Sequence, residues 1–272
     1  MSQRPRFPAQ LDFSSGAPSG KTIAIKKVAT PASNTSAKPL KSLQVKPVLA
    51  PAPGHGMDSA AVRARMVQKL AASGIASAPV LRAMGLVERH HFVDTALVNQ
   101  AYEDTSLPIG LGQTISKPNV VARMGELLLD SPLGRAGPLG RVLEIGTGCG
   151  YQAAVLAVLA REVYSIERLR GLHDKARSNL RPFRLANVHL LFGDGMLGYA
   201  KGAPYAGIIA AAGGEAIPQA WLDQLAVGGR LVAPMVTSTG QQALVVVDKT
   251  AVGLKQQLLE AVHFVPLKSG IA

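Results

Sequence analysis

From Arg141 to Val236 the chain alternates short apolar runs with helical segments, and that alternation constrains the fold more than any other feature. The runs are "RVLEIG", "EVYSIE", "VHLLFGD", "AGIIAAAG" and "GRLVAPMV". Between them lie segments such as "YQAAVLAVLA" and "RLRGLHDKARSNL", the second with Leu169, Leu172, Ala176 and Leu180 on one face. Strands that alternate with helices predict an α/β fold, a doubly wound and mostly parallel sheet with helices on both faces. Beyond Met235, "QQALVVVDKT" and "LKQQLLEAVHFVPL" flank the turn "AVG" and read as antiparallel edge strands. Sheets of this kind bind ligands in the crevice beyond the carboxyl ends of their strands. Candidate site residues therefore belong at strand ends.

Upstream, the pattern is helical. "MDSAAVRARMVQKLAASGI" puts Val62, Met66 and Leu70 on one face, with Gly74 as a stop, and "SAPVLRAMGLV" predicts a second short helix. Prolines and glycines mark loops from Ala101 through Pro118, before a helix over 119–129.

Residues 1–57 differ in composition from the rest. They hold eight Lys/Arg against one acid, Asp12, so +7 of the total +12, and eight of the 18 prolines. Such a segment cannot bury enough apolar surface to offset chain entropy, and it reads as a disordered basic arm. Two readings of the arm stay open: a solubilising tail without a partner, or electrostatic attraction to nucleic acid, ribosomes or acidic proteins. The expected organisation is the arm at 1–57 and a domain at 58–272, itself a helical lobe at 58–130 and an α/β core at 141–272.

No stretch of about 18 uncharged apolar residues predicts a membrane span, and the arm has no apolar h-region of a secretory signal. One cysteine, Cys149, excludes an intrachain disulfide and fits a reducing compartment, so a cytoplasmic location is expected. No Cys/His cluster has metal-ligand spacing, and no metal is expected.

"RVLEIGTGCGYQ" puts Gly146, Gly148 and Gly150 directly after a strand and before a helix. A phosphate loop needs Gly-Lys-Ser/Thr, and Tyr151 follows Gly150 instead. A dinucleotide loop needs G-x-G-x-x-G; here the third glycine comes one residue early, and Glu144 would repel a diphosphate. S-adenosylmethionine removes the conflict, because it carries no phosphate and its sulfonium is positive. Glu167, ending "VYSIE", suits the two ribose hydroxyls. Asp194 in "FGDG", with Gly195 beside it, suits the adenine amino group. A lone acid at a strand end is also a common helix cap.

"LPIGLGQTIS", "VLEIGTGCGYQ", "VYSIER", "GDG" and the closing "FVPL" resemble the protein-L-isoaspartate O-methyltransferase family, from about Val62 to the C-terminus. The glycine loop and acids are shared by methyltransferases generally, whereas "PIG-x-GQTIS-x-P" is far more specific. The resemblance implies a Rossmann-like methyltransferase sheet and a repair activity. Methyl passes from S-adenosylmethionine to the carboxylate of L-isoaspartyl residues in damaged proteins and peptides, and the ester then closes to a succinimide. It makes 58–130 the substrate lobe, Ser116 the active-site residue, with a positioning role, and Gln113, Thr114 and Ile115 the lining between cofactor and substrate. A monomer is expected.

Other chemistries are less well equipped. A hydrolase triad assembled from Ser116, His90 or His91, and Asp94 lacks a G-x-S-x-G elbow. The Asn/Asp-Pro-Pro-aromatic loop of exocyclic amine methylation is replaced by "AAAGGEAIP", and cytosine C5 chemistry lacks a Pro-Cys nucleophile. Another carboxyl methyltransferase, or a basic-tailed binding protein with weakened activity, would carry the same cofactor loop. The chain departs from the family at four places: Cys149 replaces a loop serine and is expected to be oxidation-prone, and Asn119 stands where an aromatic or histidine often follows the proline. Glu88 stands where a proline is common, and "APYAG" lacks an aspartate.

Overall fold

The computed structural model describes residues 59–272. The basic arm expected at 1–57 lies outside them. Helix α1 (Ser59–Ala72) buries Met66 and Leu70 from the stripe read in the sequence. It stops as expected at Gly74, whose φ is +106°. The Gly74 N–H donates to Ala71 and the Ile75 N–H to Leu70, the paired closure that a left-handed glycine permits. Helix α2 (Ala78–Leu86) follows.

The segment expected to be loop up to Pro118 contains a hairpin instead. Strands β1 (Leu107–Gly110) and β2 (Gln113–Ile115) pair antiparallel. Their two-residue connection has Leu111 at φ +52° and Gly112 at φ +69°, the double positive φ of a turn that matches strand twist. A leucine in that conformation hid the turn from a reading based on Asn-Gly or Gly-Gly pairs. Helix α3 (Pro118–Leu129) starts with proline in its first turn, where the missing N–H costs nothing. A short α4 (Pro132–Arg135) leads into the main sheet.

That sheet has seven strands: β3 (Leu139–Ile145), β4 (Ala160–Glu167), β5 (Val188–Phe192), β6 (Tyr205–Ala210), β7 (Leu225–Val236), β8 (Gln242–Thr250) and β9 (Gly253–Val262). Helices α5 (Tyr151–Leu159), α6 (Arg170–Leu180) and α7 (Gln219–Gln224) connect them. The order is β5-β4-β3-β6-β7-β8-β9. The first five are mutually parallel, and β8 and β9 close the edge antiparallel. The fold is the expected one.

Strand order reverses at β3. The chain steps from β3 outward to β5, then returns to β6 on the other side of β3. The carboxyl ends of β3 and β6 therefore diverge into a crevice. On one face, Met124 and Leu128 of α3 and Leu156 of α5 pack on Val142, Val163 and Ile209. On the other, Trp221 of α7 packs with Leu143, Ile145 and Ile208. Helices α1 and α2 share a third apolar cluster with α5, α6 and the hairpin, which brings Ile109 and Ile115 against the main domain.

Candidate active site

Beyond Ile145 the chain makes the glycine loop, with Gly146, Gly148 and Gly150 at φ +89°, +56° and +92°. All three need a backbone that residues with a Cβ rarely adopt. A Cβ at Gly150 would also lie 2.9 Å from Leu180 Cδ1, so that side chain would have to shift. The loop's amides are spoken for. Gly146 N and Thr147 N donate to Ile166 O, Gly150 N to Thr147 O, and Gly148 N to Glu167 Oε2 at 2.9 Å. Loops that cradle phosphate leave such N–H groups free to point at the anion. Here four of them are satisfied by the protein itself.

A cavity of about 460 Å³ opens over this loop. Gly146, Gly148, Glu167 and Gly195 line it, as do Gln113, Thr114, Ile115 and Ser116 from β2 and the residue after it. The hairpin is anchored beside it by Lys175, whose ammonium donates to Ile109 O at 2.8 Å and pairs with Asp94 at 2.9 Å. Glu167 is 5% exposed and accepts from Gly148 N with one oxygen and from Leu169 N with the other. Each oxygen keeps a second lone pair, so the carboxylate is oriented and still able to accept from a diol.

Glu144 is not where the sequence put it. It points into the sheet, wholly buried, and does not line the cavity. Ser165, its neighbour across the β3–β4 ladder, donates to its Oε2 at 2.5 Å, while Oε1 has no partner. Burial pushes its pKa up to about 8, outweighing the Ser165 hydroxyl and the Gln152 amide, so at neutral pH it is largely uncharged. It can neither attract a sulfonium nor repel a diphosphate. The case against a phosphate ligand rests instead on the satisfied loop amides.

Asp194 also differs from expectation. Its Oδ1 accepts from Met196 N as the cap of a short 3-10 turn, and its Oδ2 accepts from Gly270 N. It does not line the cavity, though Gly195 does. The cap reading of an acid at a strand end applies here. Gly150 is one step further out, turning the chain into α5.

Several lining residues escaped the sequence reading. Gln152 is nearly buried, and its amide faces the Glu144 carboxyl at more than hydrogen-bond distance. Ala211 and Ala212 follow β6 and obey the strand-end rule, which was sufficient to find them. Arg168 and Leu169 follow β4 in the same way. Val265, Pro266, Leu267 and Lys268 complete the wall because the C-terminal tail folds back: Gly213 N donates to Val265 O and Leu267 N to Gly213 O. No local pattern announces that return.

The triad reading has no geometry to support it. His90 bonds Tyr102, His91 bonds Glu88, and Asp94 pairs with Lys175, and none of the three lines the cavity. Asn119 does not line the cavity either; it bridges to Asp104 and Ser73.

A family model described as protein-L-isoaspartate(D-aspartate) O-methyltransferase matches residues 61–272. The chain belongs to that family. It is a methyltransferase that uses S-adenosylmethionine. A protein-L-isoaspartate O-methyltransferase of Methylibium petroleiphilum is 65% identical over 219 residues, 80% of this chain and 81% of that one. One of Ralstonia nicotianae is 52% identical over 241 residues, 84% of this chain and 75% of that one. A solved protein-L-isoaspartate O-methyltransferase superposes with a TM-score of 0.68 at 26% identity, over 77% of this chain and 67% of that one. A Plasmodium falciparum structure in complex with S-adenosyl-L-homocysteine shares the fold, with a TM-score of 0.66 at 22% identity over 76% of this chain and 98% of that one.

Burial of the loop cysteine argues against the oxidation-prone thiol expected. Cys149 is 3% exposed, and burial pushes its thiol up to about 11 from the usual 9.0. The thiolate fraction at neutral pH is thereby about 100-fold below that of an ordinary thiol. Alkylation of Cys149 by iodoacetamide is expected to be slower in the native protein than in urea by at least that factor. Mass spectrometry of timed quenches checks it, and equal rates would mean that the loop opens freely.

Proposed function

We propose that this cavity is where methyl passes from S-adenosylmethionine to the carboxylate of L-isoaspartyl residues in damaged proteins and peptides. One observation carries the reading: the cavity joins the uncharged 113–116 segment to the glycine loop and Glu167. Glu167 holds the ribose hydroxyls, Gly146 and Gly148 let the cofactor lie close to the backbone, and Gly195 gives the adenine room. Residues 58–130 thus supply the substrate side and 141–272 the cofactor side. Glu144, Gly150 and Asp194 act on the cofactor through the backbone they shape.

When bound, S-adenosylmethionine supplies an electrophilic methyl on a sulfonium. The acceptor, a carboxylate with a pKa of about 4, is ionised at neutral pH, so no general base is needed. What the protein must do is strip water from that anion and aim it. Ser116 and Thr114 offer hydroxyls for aiming, and the Ser116 hydroxyl makes no hydrogen bond among the described residues. Lys268 and Arg168 in the wall bias the cavity toward an anionic acceptor. The ester formed is attacked by the next backbone nitrogen, methanol leaves, and the succinimide hydrolyses in part to normal aspartate.

The proposed scheme uses residues of a single chain and asks for no partner subunit, so we read the enzyme as a monomer. The single cysteine supports a cytoplasmic location, and no helix of the described residues is long and apolar enough to cross a membrane.

Matched peptides containing isoaspartate or ordinary aspartate test the reading. Label from the methyl donor is expected only in the isoaspartyl peptide. Ser116→Ala is expected to lower kcat/KM about 10–100-fold while leaving cofactor affinity nearly unchanged. Equal labelling of both peptides would refute the repair assignment. Cofactor binding without turnover on any isoaspartyl peptide would favour a binding protein.

A further inference from the structure

At the 3-10 turn Arg89–Phe92 that follows α2, three side chains with metal-binding atoms, Glu88 at its cap and His90 and His91 within it, converge outside the cavity. A 3-10 turn repeats every three residues, so side chains at i and i+3 eclipse. The His91 N–H donates to Glu88 O, and this closure stacks His91 over Glu88. Their side chains meet, with His91 Nε2 3.0 Å from Glu88 Oε2. The His90 ring lies against that of His91, with centroids 4.2 Å apart. One potential ligand atom from each of Glu88, His90 and His91 lies within 4.8 Å of the others, and all three residues are half-buried.

We propose that Glu88, His90 and His91 form a site for a divalent transition metal of the zinc class. In a tetrahedral zinc site with bonds of about 2.0–2.1 Å, ligand atoms are about 3.3 Å apart. The Glu88–His91 pair already has nearly that spacing, and His90 needs only a small ring movement to close the third edge. A metal takes the place of the hydrogen bond between Glu88 and His91. Two imidazoles and a carboxylate select zinc, nickel or copper over calcium or magnesium.

The surroundings hold these ligands in place. Tyr102 Oη bonds His90 Nδ1 at 2.7 Å, which fixes the ring and leaves Nε2 for a metal. Arg63 holds the other oxygen of Glu88 at 3.2 Å, and Phe183 packs edge-on against His91. The Arg63 charge makes the site weaker than one built on a free carboxylate. Three protein ligands leave the fourth position to water. The expectation of a metal-free chain weighed cysteine and histidine spacing alone, and so left out Glu88.

The test is a zinc titration of the full, tag-free chain, stripped with chelator, in competition with a chromophoric indicator. One zinc per chain is expected to bind, and cobalt in its place is expected to give visible absorption bands of a low-coordinate site. Glu88→Gln keeps the shape and the Arg63 contact, and is expected to weaken zinc at least tenfold, as is His91→Gln. Thermal unfolding by circular dichroism confirms that each variant is folded. The proposal is overturned if wild type holds no more zinc than a His90→Gln/His91→Gln double variant. It is also overturned if neither single substitution changes the affinity.

Discussion

Glu167→Ala is expected to raise the dissociation constant for S-adenosylmethionine at least about 1,000-fold, the largest single loss in the site. Two contributions combine. In the first, the carboxylate is proposed to accept two charge-assisted hydrogen bonds from the ribose, together about 4 kcal/mol, or about 1,000-fold. In the second, the same carboxylate holds Gly148 N and Leu169 N at 2.9 Å each, so its removal leaves both amides unpaired and loosens the glycine loop. Glu167→Gln separates the two. The amide keeps one acceptor oxygen and can hold one backbone N–H, but its NH₂ faces a donor where the second oxygen stood. An intermediate loss of about 10–30-fold is expected, in line with one charged hydrogen bond. Calorimetry with S-adenosylhomocysteine measures both variants without the complication of turnover. If Glu167→Ala bound within a few-fold of wild type, the ribose would lie elsewhere and the proposed cofactor orientation would be wrong.

The residues that sequence reasoning found and those it missed are separated by range along the chain. The strand runs were legible because a parallel strand buried on both faces is nearly all apolar, as "YAGIIA" of β6 is from end to end. Loop glycines were legible because their positive φ admits little else. The 113–116 segment was found by resemblance, not by its residue types; alone, "QTIS" is a polar loop. The direction of a side chain was not legible. Glu144 and Glu167 both lie on strands beside the glycine loop, yet one enters the core and the other the cavity. Strand alternation could have separated them only with the register of β3 against β4 known. Asp194 was misplaced because a carboxylate after a strand caps the next turn as readily as it meets a ligand. The tail wall at Val265–Lys268 depends on contacts with Gly213, some fifty residues earlier, and nothing local encodes them.

Glu144 makes the second large prediction, because a buried acid links stability to pH. Burial raises its pKa from the usual 4.5 to about 8 in the folded state. Across that window the folded chain binds one proton more than the unfolded chain, so stability falls as pH rises and levels off above the folded value. Below 4.5 both states are protonated at this group and its contribution is constant. Other groups titrate over the same range, so the contrast needed is with Glu144→Gln, which keeps the shape and cannot ionise. The variant can still bond Ser165, whose hydroxyl also lies 2.6 Å from the Thr147 hydroxyl and can donate or accept. Urea unfolding is expected to give similar stabilities for the two proteins near pH 5. Near pH 9 the Gln variant is expected to be the more stable, by on the order of 3–5 kcal/mol at ~1.4 kcal/mol per pKa unit. Parallel pH profiles would show that the carboxyl ionises in place without cost, and hence that water reaches it beneath the glycine loop. A buried acid kept neutral beside a cofactor loop also predicts where alkaline loss of activity begins: the loop above Glu144 is bonded to Ile166 O through Gly146 and Thr147, on the strand that carries Ser165. Ionising Glu144 strains that ladder first, so cofactor affinity should fall as pH rises through about 8, where the stability curve levels off, and in Glu144→Gln it should not fall there.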